Sequence, residues 1–216
     1  MRGSELVAEV RRRLRDAADP PLWEDAEILT YLSLAERELC ERTHVLVDYD
    51  CYQVQTTAGV GKYELDPEVL SIPVAQLSSA TAPLGKVHNL EAMAFATTSG
   101  QPTHAGVIGS SPSYLSLYPV PDAVYTVLIA AAIAPSAALT LGSSPKVAAS
   151  LHMGLTYGAI VECLHHSDVD GFEPELLDRY EAKWGTLLRD TKREVYRQAF
   201  SPNAMANIPS WTGGRA

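Results

Sequence analysis

The apolar period of this chain changes twice, and that constrains its fold more than any single motif. Leu6, Val7, Val10 and Leu14 recur at the three- and four-residue spacing of one helix face, and Ile28, Leu32, Ala35 and Leu39 do so again. From Val45 the period drops to two: Val45, Val47, Tyr49 and Cys51 alternate with Leu46, Asp48, Asp50 and Tyr52. Helical spacing returns after Pro145, in Val147, Leu151, Leu155, Tyr157, Ile160, Val161 and Leu164, and then in Leu177, Tyr180, Trp184 and Leu188. A chain patterned in this way is two helix pairs with a β unit between them.

The local signals place the elements. The first helix is expected over Glu5–Ala17 with Ser4 as N-cap and a Glu9–Arg13 pair on its surface, ended by Asp19-Pro20-Pro21. The second is expected over Asp25–Arg42, with Glu24, Asp25 and Glu27 at the positive end of its dipole and Trp23 folded back over its first turn. Short strands are expected near Tyr63–Leu65, Val69–Leu77, Val87–Met93, His104–Ile108, Tyr114–Tyr118 and Val124–Ala132. The last two read as a hairpin, Tyr114–Ile133, turning at Pro119, Pro121 and Asp122, with Leu115 and Leu117 on one face and Tyr125, Val127 and Ile129 on one face of the next run. The third helix is expected directly after Ser144-Pro145, with Pro145 at its first position. The fourth runs from Pro174 to Arg197 with a Glu175–Arg179 pair.

The fold class follows: α+β, a four-helix bundle formed by N- and C-terminal helix pairs, with an inserted small antiparallel β-sandwich or barrel-like domain and an extended C-terminal tail. One bundle is expected rather than two arms because each pair alone is poorly placed to bury both of its stripes. The divisions fall at residues 1–43, 44–145, 146–198 and 199–216.

Charge sharpens the picture. Residues 1–43 carry 7 basic and 10 acidic side chains and residues 146–216 carry 8 and 9, but the middle 102 residues carry only 2 and 7. The window Ala123–Pro145 has no charge at all, and its strongly apolar part, Val127–Ala134, is far too short to span a bilayer. Ser, Thr, Gly and Pro replace charge on this surface. It is either solvated by Ser and Thr or covered in part by neighbouring subunits, whose interface cores are depleted in charge. A formal net charge of −9 argues against a dedicated nucleic-acid binder. The N-terminus carries no apolar signal-peptide core, so a soluble protein made in a cytoplasm is expected. Cys40, Cys51 and Cys163 are too few and too scattered for a disulfide framework and are expected as reduced thiols.

Motifs that carry catalysis fail on inspection. Gly59-Val60-Gly61-Lys62 resembles the end of a phosphate loop, but Thr56 and Tyr63 stand where that motif needs Gly and Ser or Thr, and a hairpin turn is expected instead. Gly154-Leu155-Thr156-Tyr157-Gly158 mimics a nucleophile elbow but lies inside a helical pattern, where its small residues would admit a neighbouring helix. His165, His166, Asp168 and Asp170, beside Cys163, are the densest group of metal-ligand types, and they carry a minor reading as a metal-dependent hydrolase. The two histidines diverge by about 100° on a helix, so imidazole at a helix C-terminus is the preferred reading. No cofactor and no enzyme chemistry are expected. Arg11, Arg12 and Arg13, with Arg15, form a basic cluster read as a solvated or subunit-contacting face. Phe200, Ile208 and Trp211 in the tail read as anchors that order on a partner.

Three blocks carry a resemblance. They are Trp23-Glu24-Asp25-Ala26-Glu27-Ile28-Leu29-Thr30-Tyr31-Leu32 continuing to Ala35-Glu36-Arg37-Glu38-Leu39; Leu117-Tyr118-Pro119-Val120-Pro121-Asp122 with the strand after it; and Leu155-Thr156-Tyr157-Gly158-Ala159. In order and spacing the chain resembles the head-to-tail adaptor proteins of tailed bacteriophages, also called connector or head-completion proteins, up to about Arg197. It departs at Ala130-Ala131-Ala132 and Leu139-Thr140-Leu141-Gly142, where the family often carries charge. The resemblance implies a virion protein of the viral neck, present in the host cytoplasm during assembly. It implies a structural ring, commonly a dodecamer, binding the portal protein on one side and tail, nozzle or neck proteins on the other. DNA would pass through its lumen without specific binding, and no membrane is involved. Another neck or tail-completion protein is the alternative.

Overall fold

The computed structural model describes residues 1–16, 18, 20–86, 98–109, 113–165 and 174–199, with backbone alone at 50, 51 and 199. Among these residues the chain is α+β, with four helices and two sheets. The helices are α1 (Gly3–Leu14), α2 (Asp25–Thr43), α3 (His152–His165) and α4 (Pro174–Ala199). The strands are β1 (Val47–Gln55), β2 (Lys62–Glu64), β3 (Val69–Leu77), β4 (Gly85–Lys86), β5 (His104–Ile108), β6 (Tyr114–Tyr118) and β7 (Thr126–Ile133). The strand expected over Val87–Met93 lies outside the described residues.

One apolar cluster draws on all four helices: Leu6 and Val10 of α1, Ile28, Leu32 and Leu39 of α2, Leu155 and Ile160 of α3, and Tyr180, Trp184 and Leu188 of α4. The stripes read from the sequence are the ones buried. Trp23 and Ile28, one before and one within the first turns of α2, share this cluster. The close-approach reading of Gly154 and Gly158 also holds. A Cβ on Gly154 would run into the Leu187 side chain, and one on Gly158 would meet the Ala35 Cβ at 2.8 Å and Trp184 at 3.1 Å.

Three helix ends differ from expectation, and at the starts of α1 and α3 the reason is a partner far off in the chain. α1 begins at Gly3, so Ser4 is inside the helix rather than its cap. Its first amides donate to the loop 141–143 (Gly3 N to Ser143 O, 2.7 Å; Ser4 N to Leu141 O, 3.0 Å), and the Glu5 carboxylate accepts from Arg2 N. α1 ends at Leu14, with Arg15 left-handed at φ 58°, where Ala17 was expected to be helical. α3 does not start at Pro145. A 3₁₀ turn, Ala149–Leu151, precedes it, because the amides of Lys146 and Val147 donate to the Glu36 carboxylate (2.5 and 3.1 Å) instead of entering a helix.

The β unit is two sheets sharing one core. The order β1–β7–β3 makes a three-stranded antiparallel sheet, and β2–β6–β5–β4 makes a second in which β4 and β5 are parallel. That second sheet is therefore mixed, not purely antiparallel as expected. Leu115 and Leu117 of β6 face Val127, Ile129 and Ala131 of β7 across the shared core.

The principal correction concerns the expected hairpin. β6 and β7 do not pair with each other; they lie in different sheets. Residues 119–125 carry the chain from one sheet to the other, and residues 56–61, expected as a second hairpin turn, do the same between β1 and β2. The two crossovers lie side by side, joined by Gly59 N to Pro121 O (2.8 Å). Thr56, 2% exposed, fastens them: its amide donates to Tyr125 O, and its hydroxyl accepts from Tyr125 N (2.8 Å) and donates to Ala123 O (3.0 Å). The turn itself is real, with Gly59 at φ 80°, a conformation that favours glycine. The charge-free run is explained in part by its place: β7 is the central strand of its sheet, and Ala130, Ala131 and Ala132 are buried.

The two cores meet at Leu46, which packs against both. Nearby, His44 closes α2 in the left-handed conformation and its Nδ1 bonds Ser71 of β3 at 2.8 Å.

Candidate subunit-contact surfaces

Among the described residues, the two surface grooves beside α2 gather no His or Cys side chain. Among the described residues no three His, Cys, Asp or Glu side chains are placed to hold a metal. Of the four metal candidates only His165 is described. It stands at the end of α3, exposed, with Nε2 3.0 Å from the Glu181 carboxylate. His166, Asp168 and Asp170 lie outside the described residues. Cys40 and Cys163 are free and fully buried, and burial pushes both thiols up to about 12, which leaves them inert as nucleophiles. The Gly154–Gly158 block sits in α3 and has no strand before it. Buried His152 donates from Nε2 to Val147 O (2.9 Å) and accepts at Nδ1 from the Met1 amino group (2.9 Å), so both ring nitrogens serve the fold.

What remains is surface, and the arginine cluster divides into separate duties. Arg11 is drawn inward: Nη1 bonds Asp16 and Nη2 bonds Asp25, each at 2.7 Å, which ties the end of α1 to the start of α2. Asp16, nearly fully buried, also accepts from Leu22 N (2.8 Å). Arg13 bonds Glu9 and lies over the Tyr157 ring at 5.0 Å. Arg12 also bonds Glu9, but its side chain is 70% exposed and it remains the outward member of the three.

The Arg12 guanidinium, followed by Arg13, holds the Glu9 carboxyl down at about 2 against the opposing pull of partial burial. A carboxylate lowered on folding stabilises the fold above its ordinary value of 4.5 and loses that contribution as pH falls from 4.5 towards 2. Melting curves should therefore show a steeper acid decline over that window for the wild-type chain than for Glu9→Gln. Equal slopes would exclude the contribution.

Sequence reasoning missed the rest of this face. Lys183 of α4 sits over both Tyr157 (5.4 Å) and Tyr180 (5.0 Å), and Arg179 lies over Tyr180 at 5.3 Å rather than pairing with Glu175. The signal was present, since Arg179 and Lys183 are four apart and flank Tyr180, but cation–ring contacts between helices need the packing to be known. Exposed apolar side chains occur elsewhere. Val60 (40%) and Val124 (69%) mark the two crossovers at the tip of the β unit. Leu141 (45%) lies beside Leu29 in a shallow apolar groove between α2 and the loop 138–142. A second groove between α2 and α3 is lined by Leu34, Arg37, Glu38, Glu41, Gly158 and Glu162. The tail anchors Phe200, Ile208 and Trp211 lie outside the described residues. Among those residues no helix is long and apolar enough to cross a membrane.

A family model described as SU10 adaptor protein matches residues 1–206. No curated protein matches the chain.

Proposed function

This chain belongs to the SU10 adaptor protein family, and from that membership we propose that it is the structural joint between the head and the tail of a tailed phage. The family is one of phage adaptors, a structural class and not an enzyme class, and such an adaptor belongs at the neck of the virion. In the finer reading, copies assemble into a ring, commonly of twelve, that docks beneath the portal protein, meets tail or nozzle proteins below and surrounds the DNA channel. The helix pairs 1–43 and 146–198 act as one four-helix bundle, residues 44–145 as the inserted β unit, and residues 199–216 as a segment that grips a partner. Assembly takes place in the host cytoplasm.

The match over residues 1–206 carries this reading. The chemistry agrees: among the described residues every buried side-chain polar atom has a partner, and an acidic chain limits phosphate binding and lets DNA slide. The test is imaging of the purified protein with its portal. Ring-shaped particles docked on the portal are expected. A protein that stays monomeric and ignores the portal would sink the reading, and one that binds purified tails instead would move it to the tail-completion class. A chain ended at Arg197 should keep its melting temperature and bind portal more weakly. Unchanged binding would remove the tail from the interface.

A further inference from the structure

The face formed by α1, α3 and α4 carries positive charge on a strongly acidic chain. Arg13, Arg179 and Lys183 lie over Tyr157 or Tyr180, Arg12 shares Glu9 with Arg13, and three of the four are exposed. Among the described residues Glu9 is the one carboxylate bonded to any of them. The rings hold the cations in place, so little side-chain freedom is left to lose when a partner arrives. Around α3, Met153 and Tyr157 lie on this side, while Gly158 and Glu162 point about 140° away, into the groove against α2. That groove has the opposite character: Glu38, Glu41 and Glu162 surround exposed Leu34. One cation, Arg37, lines the groove as well; it and Arg42 form exposed i,i+4 pairs with Glu41 and Glu38, and such pairs hold on the order of 0–1 kcal/mol and exchange readily, while Glu38 also accepts from Trp184 Nε1 at 2.9 Å.

We propose that the cation–tyrosine face of Arg12, Arg179 and Lys183 docks against the acidic groove of Glu38, Glu41 and Glu162 on a second copy of this chain, head to tail. Two different patches in contact make a heterologous interface, the kind that generates a ring where the rotation between successive copies closes. The basic face also offsets the repulsion that a charge of −9 per copy imposes on self-association. The proposal rests on the ring reading above and supplies its contact.

Charge exchange tests it. The variants are Arg179→Glu with Lys183→Glu, Glu41→Lys with Glu162→Lys, and all four on one chain. Each is first checked for an unchanged melting profile, because Arg179, Lys183 and Glu41 are exposed and Glu162 is half-buried. Sedimentation over a concentration series, alone and with portal, is the readout. Each two-site variant should need at least about tenfold more protein to assemble, and the four-site chain should return towards the wild-type midpoint. Raised salt should weaken the wild-type contact. Two-site variants that assemble normally, or a four-site chain that fails to recover, would overturn this contact and leave the adaptor reading standing. A wild-type chain that remains monomeric even with portal would overturn both. Loss of duplex DNA binding in Arg179→Glu/Lys183→Glu with assembly intact would assign the face to phosphate instead and overturn the proposal.

Discussion

Gly158→Leu is expected to destabilise the helical core strongly. Gly158 is buried in α3 where three helices touch, and even a single Cβ would lie 2.8 Å from the Ala35 Cβ of α2 and 3.1 Å from the Trp184 ring of α4. Neither neighbour is the loose end of a flexible chain. Three further carbons must push α2 and α4 apart, and the packed interior resists that as a crystal would. Overpacking by small additions costs ~1–3 kcal/mol, so a leucine here should exceed ~3 kcal/mol. For a chain of this size that lowers the melting temperature by roughly 10 °C or unfolds it outright. Gly158→Ala should be milder, since about 1 kcal/mol of helix propensity offsets part of the clash. Gly185, inside α4, is the control: a Cβ there meets nothing within 4 Å, and Gly185→Ala should stabilise by ~0.5–1 kcal/mol. Thermal melts of the three variants decide the matter, and a Gly158→Leu protein that melts with the wild type would refute the close-packing account.

Glu36→Ala comes second. Its side chain is 2% exposed and, among the described residues, forms no ion pair; Oε1 accepts the amides of Lys146 and Val147. Hydrogen bonds to a charged group are worth ~1.5–3 kcal/mol each, and an abandoned buried donor carries its own desolvation cost. A loss of ~3 kcal/mol is expected. Glu36→Gln keeps an acceptor and should lose about half as much. The local signature is faster hydrogen exchange at the amides of Lys146 and Val147 in Glu36→Ala. Protection that persists at both would show that some other group holds them.

These two positions differ in how well the sequence announced them. Gly158 was readable, because a glycine four residues from another on an apolar helical stripe has few roles beyond close approach. Glu36 was half readable. It falls on the buried face, four after Leu32 and three before Leu39, and an acid there demands a partner. Its partners are backbone amides more than a hundred residues away, which no local pattern shows. The same limit governs the start of α3, taken to be Pro145 from a good capping pattern, and the start of α1, taken to be Ser4. In each case a long-range hydrogen bond displaced a sound local rule. Arg12 was legible only as part of the cluster Arg11, Arg12, Arg13 and Arg15, a solvated or subunit-contacting face, while the ring contacts of Arg179 and Lys183 emerged only once α1, α3 and α4 were set side by side.

By itself the sequence determined the kind of the four helices and of strands β1–β3 and β5–β7, because periodicity is a local property: side chains 3.6 or 2 residues apart share a surface whatever lies opposite. It located β3, β5 and β6 to the residue and the order of helix pair, β unit and helix pair. Only the tertiary structure decided which strand pairs with which. β6 and β7 are adjacent in the chain and each alternates correctly, yet they belong to different sheets. An alternating strand fits any neighbour that offers free backbone groups and a matching face, so the choice falls to the global fit of two sheets around one core. The cation–ring contacts of Arg13, Arg179 and Lys183 were decided in the same way, by helices distant in sequence meeting at one face.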